Sequence, residues 1–101
     1  MKNYDKVVNL LGIARRAGKI ISGEEIVLAG IKNGSVAFLF LASDAGLATA
    51  KKIQNKCQYY QIPSCTALSK AALSTAIGQQ RTIVAVTDQG FARKINELIK
   101  E

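Results

Sequence analysis

The sequence predicts a three-layer α/β/α sandwich around a mixed sheet of roughly four strands. Two runs, residues 36–42 and 82–86, are almost wholly apolar, which is typical of strands that are covered on both faces. Amphipathic helical patterns precede and follow both runs, and this alternation of helix and strand is typical of α/β proteins. The chain has 101 residues and no linker-like segment, so a single domain over residues 1–101 is expected.

The first two predicted elements are a helix and a short strand. Apolar residues recur at helical spacing over residues 4–17, and Gly18 follows as a stop signal. The buried face of this helix is expected to comprise Val7, Leu10, Leu11 and Ala14. Residues 20–21 are both β-branched, so they predict a brief strand.

A second helix is predicted to start at Gly23, because residues 22–25 have the S-x-x-E spacing of a capping box. Its expected apolar face comprises Ile26, Val27 and Ile31. The Asn-Gly pair at residues 33–34 then ends the helix in a turn before the buried strand over residues 36–42.

A third helix follows that strand, and Ser43 or Asp44 is expected to cap it. Its predicted apolar side comprises Leu47, Ala50, Ile53 and Cys57. The opposite side, expected to face water, carries Lys51, Lys52 and Lys56. Tyr59 and Tyr60 end the helix, where packing in the core is favoured over stacking on bases.

The second half of the chain continues the alternation. Pro63 marks residues 61–65 as a short edge strand, and Ser69 is expected to cap a small alanine-rich helix. Residues 82–86 are the second strongly β-prone run. A last helix is predicted after residues 88–90, with an inward face of Phe91, Ile95, Leu98 and Ile99.

The composition excludes several classes of function. The chain contains no histidine, so the usual general base near neutral pH and the most common metal ligand are absent. Cys57 and Cys65 alone cannot complete a four-ligand metal shell, and they are expected to be free thiols of a cytoplasmic protein. No catalytic residue, metal or cofactor is therefore predicted. No signal peptide or membrane-spanning segment is expected, because the longest apolar run is far shorter than the ~20 residues required.

Residues 12–19 superficially resemble a phosphate-binding loop. Five residues separate the two glycines, where that loop has four, and Ile20 occupies the position of the magnesium-binding Ser or Thr. The segment also follows no predicted strand. It is therefore interpreted as the end of the first helix, and nucleotide hydrolysis is excluded.

Positive charge is the strongest functional signal. Fourteen Lys and Arg residues against seven Asp and Glu residues give a formal net charge of +7, which favours a polyanionic partner. The segment between Asp44 and Asp88 has no acidic residue, and it contains Lys51, Lys52, Lys56, Lys70 and Arg81. A second basic group, expected to surround the start of the second helix, comprises Arg15, Arg16, Lys19 and Lys32. The predicted contacts to a phosphate backbone are Arg15, Arg16, Lys51, Lys52 and Lys56.

The sequence leaves two roles open for the start of the second helix at Gly23, and one of them is close approach to an RNA backbone. Without a side chain, Gly23 would let an RNA backbone reach the free amides of the first helical turn. The alternative is that Ser22 and Glu25 cap those amides, and the sequence favours neither. Glu24 and Glu25 oppose phosphate, but their carboxylates suit the helix dipole and can accept hydrogen bonds from base amino groups.

Five strings carry a resemblance to a known family: residues 18–25, 32–44, 62–64, 73–78 and 82–88. Together they resemble the kink-turn RNA-binding ribosomal proteins of archaea and eukaryotes, and in particular a small bacterial YlxQ-like branch of that family. The resemblance implies an α/β/α sandwich that binds, without catalysis, a sharply bent RNA helix with tandem sheared G·A pairs. The implied partner is structured RNA such as ribosomal RNA, in association with the ribosome, rather than DNA or a membrane.

The resemblance also implies a set of site residues. The segment from residue 22 to residue 32 would lie at the bulged backbone and its guanines, and the loop at residues 64–68 would contact flipped-out bases. Gly23 matches the close-approach glycine, and Asn33 stands where an Arg or a similar donor is frequent. Matched by position, the RNA-binding residues are Lys19, Ser22, Gly23, Glu24, Glu25, Lys32, Asn33, Ser64, Cys65, Thr66, Ala67 and Leu68.

Three positions depart from the family pattern. Ile26 and Ala29 stand where the archaeal pattern has a Glu and a Lys that contact guanine and phosphate, and Ser74 replaces a common glycine. These departures favour a second hypothesis, a protein-interaction module on the same fold that binds RNA weakly or non-specifically.

Overall fold

The computed structural model describes residues 4–100, which form five helices and four strands in alternation. The helices are α1 (Tyr4–Arg16), α2 (Glu24–Lys32), α3 (Leu47–Tyr59), α4 (Lys70–Ile77) and α5 (Gln89–Lys100). The strands are β1 (Ile20–Ser22), β2 (Phe38–Leu41), β3 (Ser64–Cys65) and β4 (Ile83–Val86). The order of elements predicted from the sequence is confirmed.

The four strands form one mixed sheet in the order β1-β4-β2-β3. β4 is antiparallel to both of its neighbours and β3 is parallel to β2, so β1, β2 and β3 run in the same direction. Ser22 pairs with Val84 and Leu41 pairs with Ile83, which places the carboxyl ends of β1 and β2 beside the start of β4. We call this the carboxyl end of the sheet, and the opposite end the amino end.

Helices cover both faces of the sheet, which confirms the three-layer α/β/α sandwich. Phe38 and Phe40 of β2 belong to the larger buried cluster, together with side chains from α1, α4 and α5. Leu39 and Leu41 alternate with them and pack with side chains of α2 and α3 on the other face. Because both faces of β2 are covered, all four of its residues are buried, and the strand lacks polar alternation.

One predicted helix cap is confirmed and another is wrong. Oγ of Ser69 accepts a hydrogen bond from the amide of Ala72 at 3.1 Å and caps α4. The N-cap residue of α3 is Gly46, which provides no side-chain cap. Asp44 instead accepts from the amide of Lys70 at 2.8 Å, because its loop lies against the start of α4 rather than over α3.

The predicted apolar faces of α2 and α3 are wrong at one residue each. The buried stripe of α2 comprises Val27, Gly30 and Ile31, so Ile26 points about 100° away from Val27 and is 60% exposed. Leu47 is the first residue of α3, more than one turn ahead of its buried residues, and it is 91% exposed.

The prediction that Tyr59 and Tyr60 pack in the core is also wrong. Tyr59 is 79% exposed and Tyr60 is 40% exposed. The buried stripe of α3 ends at Cys57, and a residue two positions later points about 200° around the helix axis. The two tyrosine rings contact each other instead.

Candidate nucleic-acid interface

Three helices begin at the carboxyl end of the sheet. The helices α2, α3 and α4 follow β1, β2 and β3, so their N-termini lie where those parallel strands end. Each helix N-terminus carries a partial positive charge and has backbone amides without helical partners. The carboxyl end of the sheet is therefore suited to an anion.

Gly23 connects β1 to α2 and is the N-cap residue of that helix. Its φ of +93° lies in the region that favours glycine, and open space surrounds the position that a Cβ would take. Its amide donates to the carbonyl of Ile83 at 3.1 Å, which fixes the turn on the sheet. No side chain caps the first turn of α2, so the predicted capping box of Ser22 and Glu25 is wrong.

Ser22 makes a hydrogen bond with Arg81 in place of that cap. Nε of Arg81 donates to Oγ of Ser22 at 3.1 Å, and Nη1 donates to the carbonyl of Gln80 at 2.8 Å. The amide of Arg81 donates to Oγ of Ser74 at 3.1 Å, which fixes its backbone as well. A guanidinium has five N–H donors and these contacts use two, so Arg81 can still donate to an anion beside Gly23.

The two glutamates in the first turn of α2 have different surroundings. Glu24 is turned toward α3, where its Oε2 lies 3.1 Å from Nζ of Lys52 and its Oε1 accepts from Oγ1 of Thr49 at 3.5 Å. Glu25 is exposed. Lys52 therefore offsets the carboxylate that lies next to Gly23 in the chain.

A cleft of about 360 Å³ opens between these elements. The first turn of α2 and the start of α3 line it together with the link between α4 and β4. Its cations are Lys70 and Arg81, and its carboxylate is the paired Glu24. An adjoining depression contains Arg81 and the exposed side chain of Ile26. This surface thus combines amides, two cations, one apolar side chain and two carboxylates, those of Glu24, which is paired with Lys52, and the exposed Glu25.

Comparison with known proteins decides the family. Residues 5–96 match the Ribosomal protein L7Ae/L30e/S12e/Gadd45 family. The chain belongs to this family. The resemblance seen in the sequence is thereby confirmed.

Two relatives within the L7Ae/L30e/S12e/Gadd45 family are each named RNA-binding protein YlxQ. The protein from Enterococcus faecium is 42% identical over 98 residues, which cover 97% of this chain and 95% of the relative. The protein from Bacillus subtilis (strain 168) is 46% identical over 91 residues, which cover 89% of this chain and 91% of the relative.

Solved structures agree with this L7Ae-type fold. A protein of unknown function from Bacillus halodurans has a TM-score of 0.91 and 43% sequence identity, covering 95% of this chain and 98% of that chain. The Giardia lamblia 15.5kD RNA binding protein has a TM-score of 0.83, covering 96% of this chain and 87% of that chain. Its 17% identity makes this a likeness of fold alone.

In this L7Ae-type chain, the loop at residues 64–68 has two buried members. Cys65 and Leu68 are part of the larger core cluster. Their side chains are therefore unavailable to a partner, which corrects the predicted contact set. The exposed members of the loop are Ser64, Thr66 and Ala67.

The second predicted basic group does not surround Gly23. The carbonyl of Lys19 accepts from the amide of Thr87 at the amino end of the sheet, about 13 Å from Gly23 along an extended strand. Lys32 is the last residue of the nine-residue helix α2, about 12 Å from its start. Lys19 and Lys32 lie far from Gly23 because α1 and α2 both end at the amino end of the sheet, where the parallel strands begin. The helix ends at the same end of the sheet also carry Arg15, Arg16 and Asn33.

Two of the three lysines of α3 face water, as predicted. Lys51 and Lys52 are exposed, and Lys56 is half-buried. Lys52 is paired with Glu24, whereas Lys51 makes no ion pair among residues 4–100. Lys51 is thus the more available of the two cations near the start of α3.

Three features of this surface were not predicted from the sequence. Arg81 was grouped only with the general positive charge, because its partner Ser22 is 59 residues away and no local pattern pairs them. Hydrophobicity alone predicts Ile26 and Leu47 in the core, whereas both side chains are exposed. For Ile26 a signal was present, since it replaces a polar residue of the archaeal pattern.

The chemistry available in the described part of the chain is limited. No three His, Cys, Asp or Glu side chains of residues 4–100 lie together in a way that could hold a metal ion. Both cysteines are free and buried. Burial raises the pKa of Cys57 from 9.0 to about 11, so this thiol is protonated at neutral pH.

No helix among residues 4–100 is long and apolar enough to cross a membrane.

Proposed function

We propose that this chain binds structured RNA with a sharp bend of the kink-turn type, and that the carboxyl end of the sheet is the binding surface. The observation that carries the proposal is the uncapped first turn of α2 behind Gly23, with the guanidinium of Arg81 beside it. Two relatives that match nearly the whole chain are named RNA-binding proteins, which supports RNA as the polyanion. The proposal includes no catalytic step.

Backbone shape is the feature that this surface would recognise. The missing side chain at Gly23 lets a phosphate come within hydrogen-bond distance of the amides of α2. Arg81 then donates to a phosphate through its planar fork, and Lys70 adds a second cation in the same cleft. Because phosphate contacts release counterions, binding should weaken steeply as salt is raised.

Ile26 provides an apolar contact in this scheme. It cannot accept a hydrogen bond from a base amino group, but its exposed side chain can pack on an unstacked base. Recognition would therefore depend more on the bent backbone than on the edges of particular bases. A bent duplex with substituted bases should accordingly bind nearly as well as the parent duplex.

Gel-shift titrations of a kink-turn duplex and a straight duplex test the proposal at about 50 mM and about 200 mM salt. We expect the bent duplex to bind at least about tenfold more tightly, which corresponds to about 1.4 kcal/mol. Affinity for both duplexes should fall at the higher salt concentration. Equal and weak affinity for the two duplexes would contradict recognition of the bend.

A matched pair of glycine variants tests whether the RNA-binding surface lies at the carboxyl end of the sheet. Gly23→Asp adds bulk and negative charge at the closest approach, so affinity for the bent duplex should fall by about tenfold or more. Gly18→Asp is the control, because Gly18 also has a positive φ, +74°, and open space for a Cβ, but follows α1 at the amino end. Equal losses in both variants would place the binding surface elsewhere.

We infer further that the chain acts in the cytoplasm in association with the translation machinery, with ribosomal RNA as the ligand. The net charge of +7 suits this polyanion. Sucrose-gradient sedimentation of cell extracts tests the inference. The chain should sediment with ribosomal particles and return to the top of the gradient after ribonuclease treatment. Sedimentation at the top before treatment would contradict it.

A protein-interaction module is the second candidate function, and exposed apolar side chains favour it. Ile26 and Leu47 are large hydrophobic residues without cover, as is common at protein interfaces. Isolation of the native complex with and without ribonuclease separates the two functions. Association with one protein that survives the nuclease would support the module, and association lost with the nuclease would support RNA binding.

A further inference from the structure

Tyr59 and Tyr60 form an exposed aromatic pair at the end of α3. Their ring centroids are 4.9 Å apart and their planes make an angle of 71°, which is an edge-to-face contact. Aromatic rings usually contribute to stability by burying their large apolar surface. Because Tyr59 is 79% exposed, the packing of the core does not explain this pair.

The pair adjoins a groove of about 400 Å³ at the amino end of the sheet. Tyr60, Gln61, Lys32 and Gln89 contribute to its lining, and no described residue that lines it is acidic. Gln61 has a φ of +57°, a conformation that glycine usually supplies after a helix. The chain thus turns sharply after the tyrosines and leaves the groove open beside them.

Two cations flank the aromatic pair. Lys56 precedes Tyr59 by three residues and Tyr60 by four, the spacings that bring side chains together on a helix. Lys32 lines the same groove as Tyr60. Asp88, the carboxylate next to Gln89 in the chain, accepts a hydrogen bond from the amide of Phe91 at 2.9 Å and so caps α5. The local charge is therefore suited to an anion.

We propose that this surface binds an unpaired nucleotide of the RNA. We call it the tyrosine platform and define it by Tyr59, Tyr60, Lys32 and Lys56. The exposed ring of Tyr59 stacks on the base, and the edge-to-face contact with Tyr60 holds that ring in place. The two lysines contact the flanking phosphates, and the nearby glutamine amides bond to the base edge. Aromatic rings interspersed with cations are the groups by which proteins hold single-stranded nucleic acid without sequence preference.

The tyrosine platform lies at the opposite end of α3 from the proposed bend-binding surface. α3 has 13 residues, so the two surfaces are about 20 Å apart. A single strand that leaves a bent duplex can follow the outer side of α3, which carries exposed lysines. This inference deepens the proposed function, since it assumes that RNA is the partner.

Fluorescence anisotropy with two labelled kink-turn duplexes tests the platform. One duplex is blunt and the other carries a short oligouridine extension. The extension should strengthen binding to the unmodified chain by about fivefold or more, the factor expected for one stacked base. Tyr59→Ala should abolish this gain and leave the blunt duplex unaffected, whereas Tyr59→Phe should keep the gain because the ring face remains. The exposure of Tyr59 keeps both variants folded.

Free oligouridine separates this inference from the proposed function. If bent and straight duplexes bind alike while oligouridine binds the unmodified chain more tightly than Tyr59→Ala, the bend proposal fails and the platform stands. If the extension adds no affinity, or if Tyr59→Ala keeps the whole gain, the platform is overturned. A protein partner that is lost in Tyr59→Ala without any change in RNA affinity would also overturn it.

Discussion

The side chain of Arg81 donates to that of Ser22 across 59 residues of sequence, at an Nε to Oγ distance of 3.1 Å. This hydrogen bond joins the link between α4 and β4 to the residue that precedes Gly23. It engages the hydroxyl of the serine that precedes the N-cap residue of α2, and it holds a cation beside the same turn. The N-cap glycine leaves the amides of α2 open, and the Arg81–Ser22 contact supplies the charge that an anion needs.

Replacing Arg81 by Lys keeps the positive charge but removes the planar fork of donors. We expect the free energy of binding the bent duplex to weaken by about 1 to 2 kcal/mol, or roughly five- to thirtyfold in affinity. Filter binding measures this loss. Arg93→Lys is the control, because Arg93 is exposed on α5, away from the carboxyl-end cleft. If both variants keep full affinity, Arg81 acts only through its charge.

Ser74 fixes the backbone of Arg81, since its Oγ accepts from the Arg81 amide at 3.1 Å. The family pattern commonly has glycine at this position, so the serine supplies a contact that a glycine cannot. Ser74→Ala should lower the free energy of unfolding by about 1 kcal/mol. It should also weaken binding of the bent duplex, because the guanidinium loses part of its support.

Urea denaturation and gel shift together measure the effects of Ser74→Ala. Thr75→Ala is the matched control, because Thr75 is the next residue of α4 and is exposed. The control should change neither stability nor affinity by more than a few tenths of a kcal/mol. Full RNA affinity in a destabilised Ser74→Ala variant would show that Ser74 supports the fold without positioning Arg81.

The fold was predictable because each element has a strong local signal. The apolar run of β2 and the serine cap at Ser69 can both be recognised from residues that are adjacent in the chain. The errors in the predicted core fall on large side chains that stay exposed, namely Ile26, Leu47, Tyr59 and Tyr60. Hydrophobicity alone does not distinguish a side chain that packs in the core from one that remains exposed on the surface.

The candidate site was predictable only where it is local in the chain. Gly23 could be singled out because residues 22–25 alone carry the pattern of a helix start. Arg81 could not be placed, because its position depends on β4 lying beside β1 in the sheet. The expected ring of cations around Gly23 failed for the same reason. Strand and helix lengths carry Lys19 and Lys32 to the amino end of the sheet.

Gly30 allows α2 to pack closely on β1 and on the residues before β2. A Cβ at this position would lie 2.8 Å from Cδ1 of Ile21 and 3.1 Å from Cγ2 of Val36. Gly30→Ala should therefore lower the free energy of unfolding by up to about 2 kcal/mol, which is the packing cost less the roughly 1 kcal/mol by which alanine favours helix over glycine. Urea denaturation measures the change. A gain in stability would show that both side chains can move aside freely.

Cys57 should make stability depend on pH in the alkaline range. Burial raises the pKa of its thiol in the folded chain to about 11, from 9.0. The unfolded chain therefore loses this proton at a lower pH than the folded chain. The resulting stabilisation is fully present below pH 9 and is lost as the pH rises through about 11.

Comparison with Cys57→Ala isolates this effect from the many Lys and Tyr groups that titrate in the same range. Urea denaturation at a series of pH values should show a constant difference in unfolding free energy between the two chains at neutral pH. Above pH 9 that difference should narrow, by at most about 1.4 kcal/mol per pH unit, because only the unmodified chain exposes the Cys57 thiol on unfolding, whereas Cys65 is present in both chains. A difference that stays constant up to pH 11 would show that the folded chain accommodates the thiolate as readily as water does.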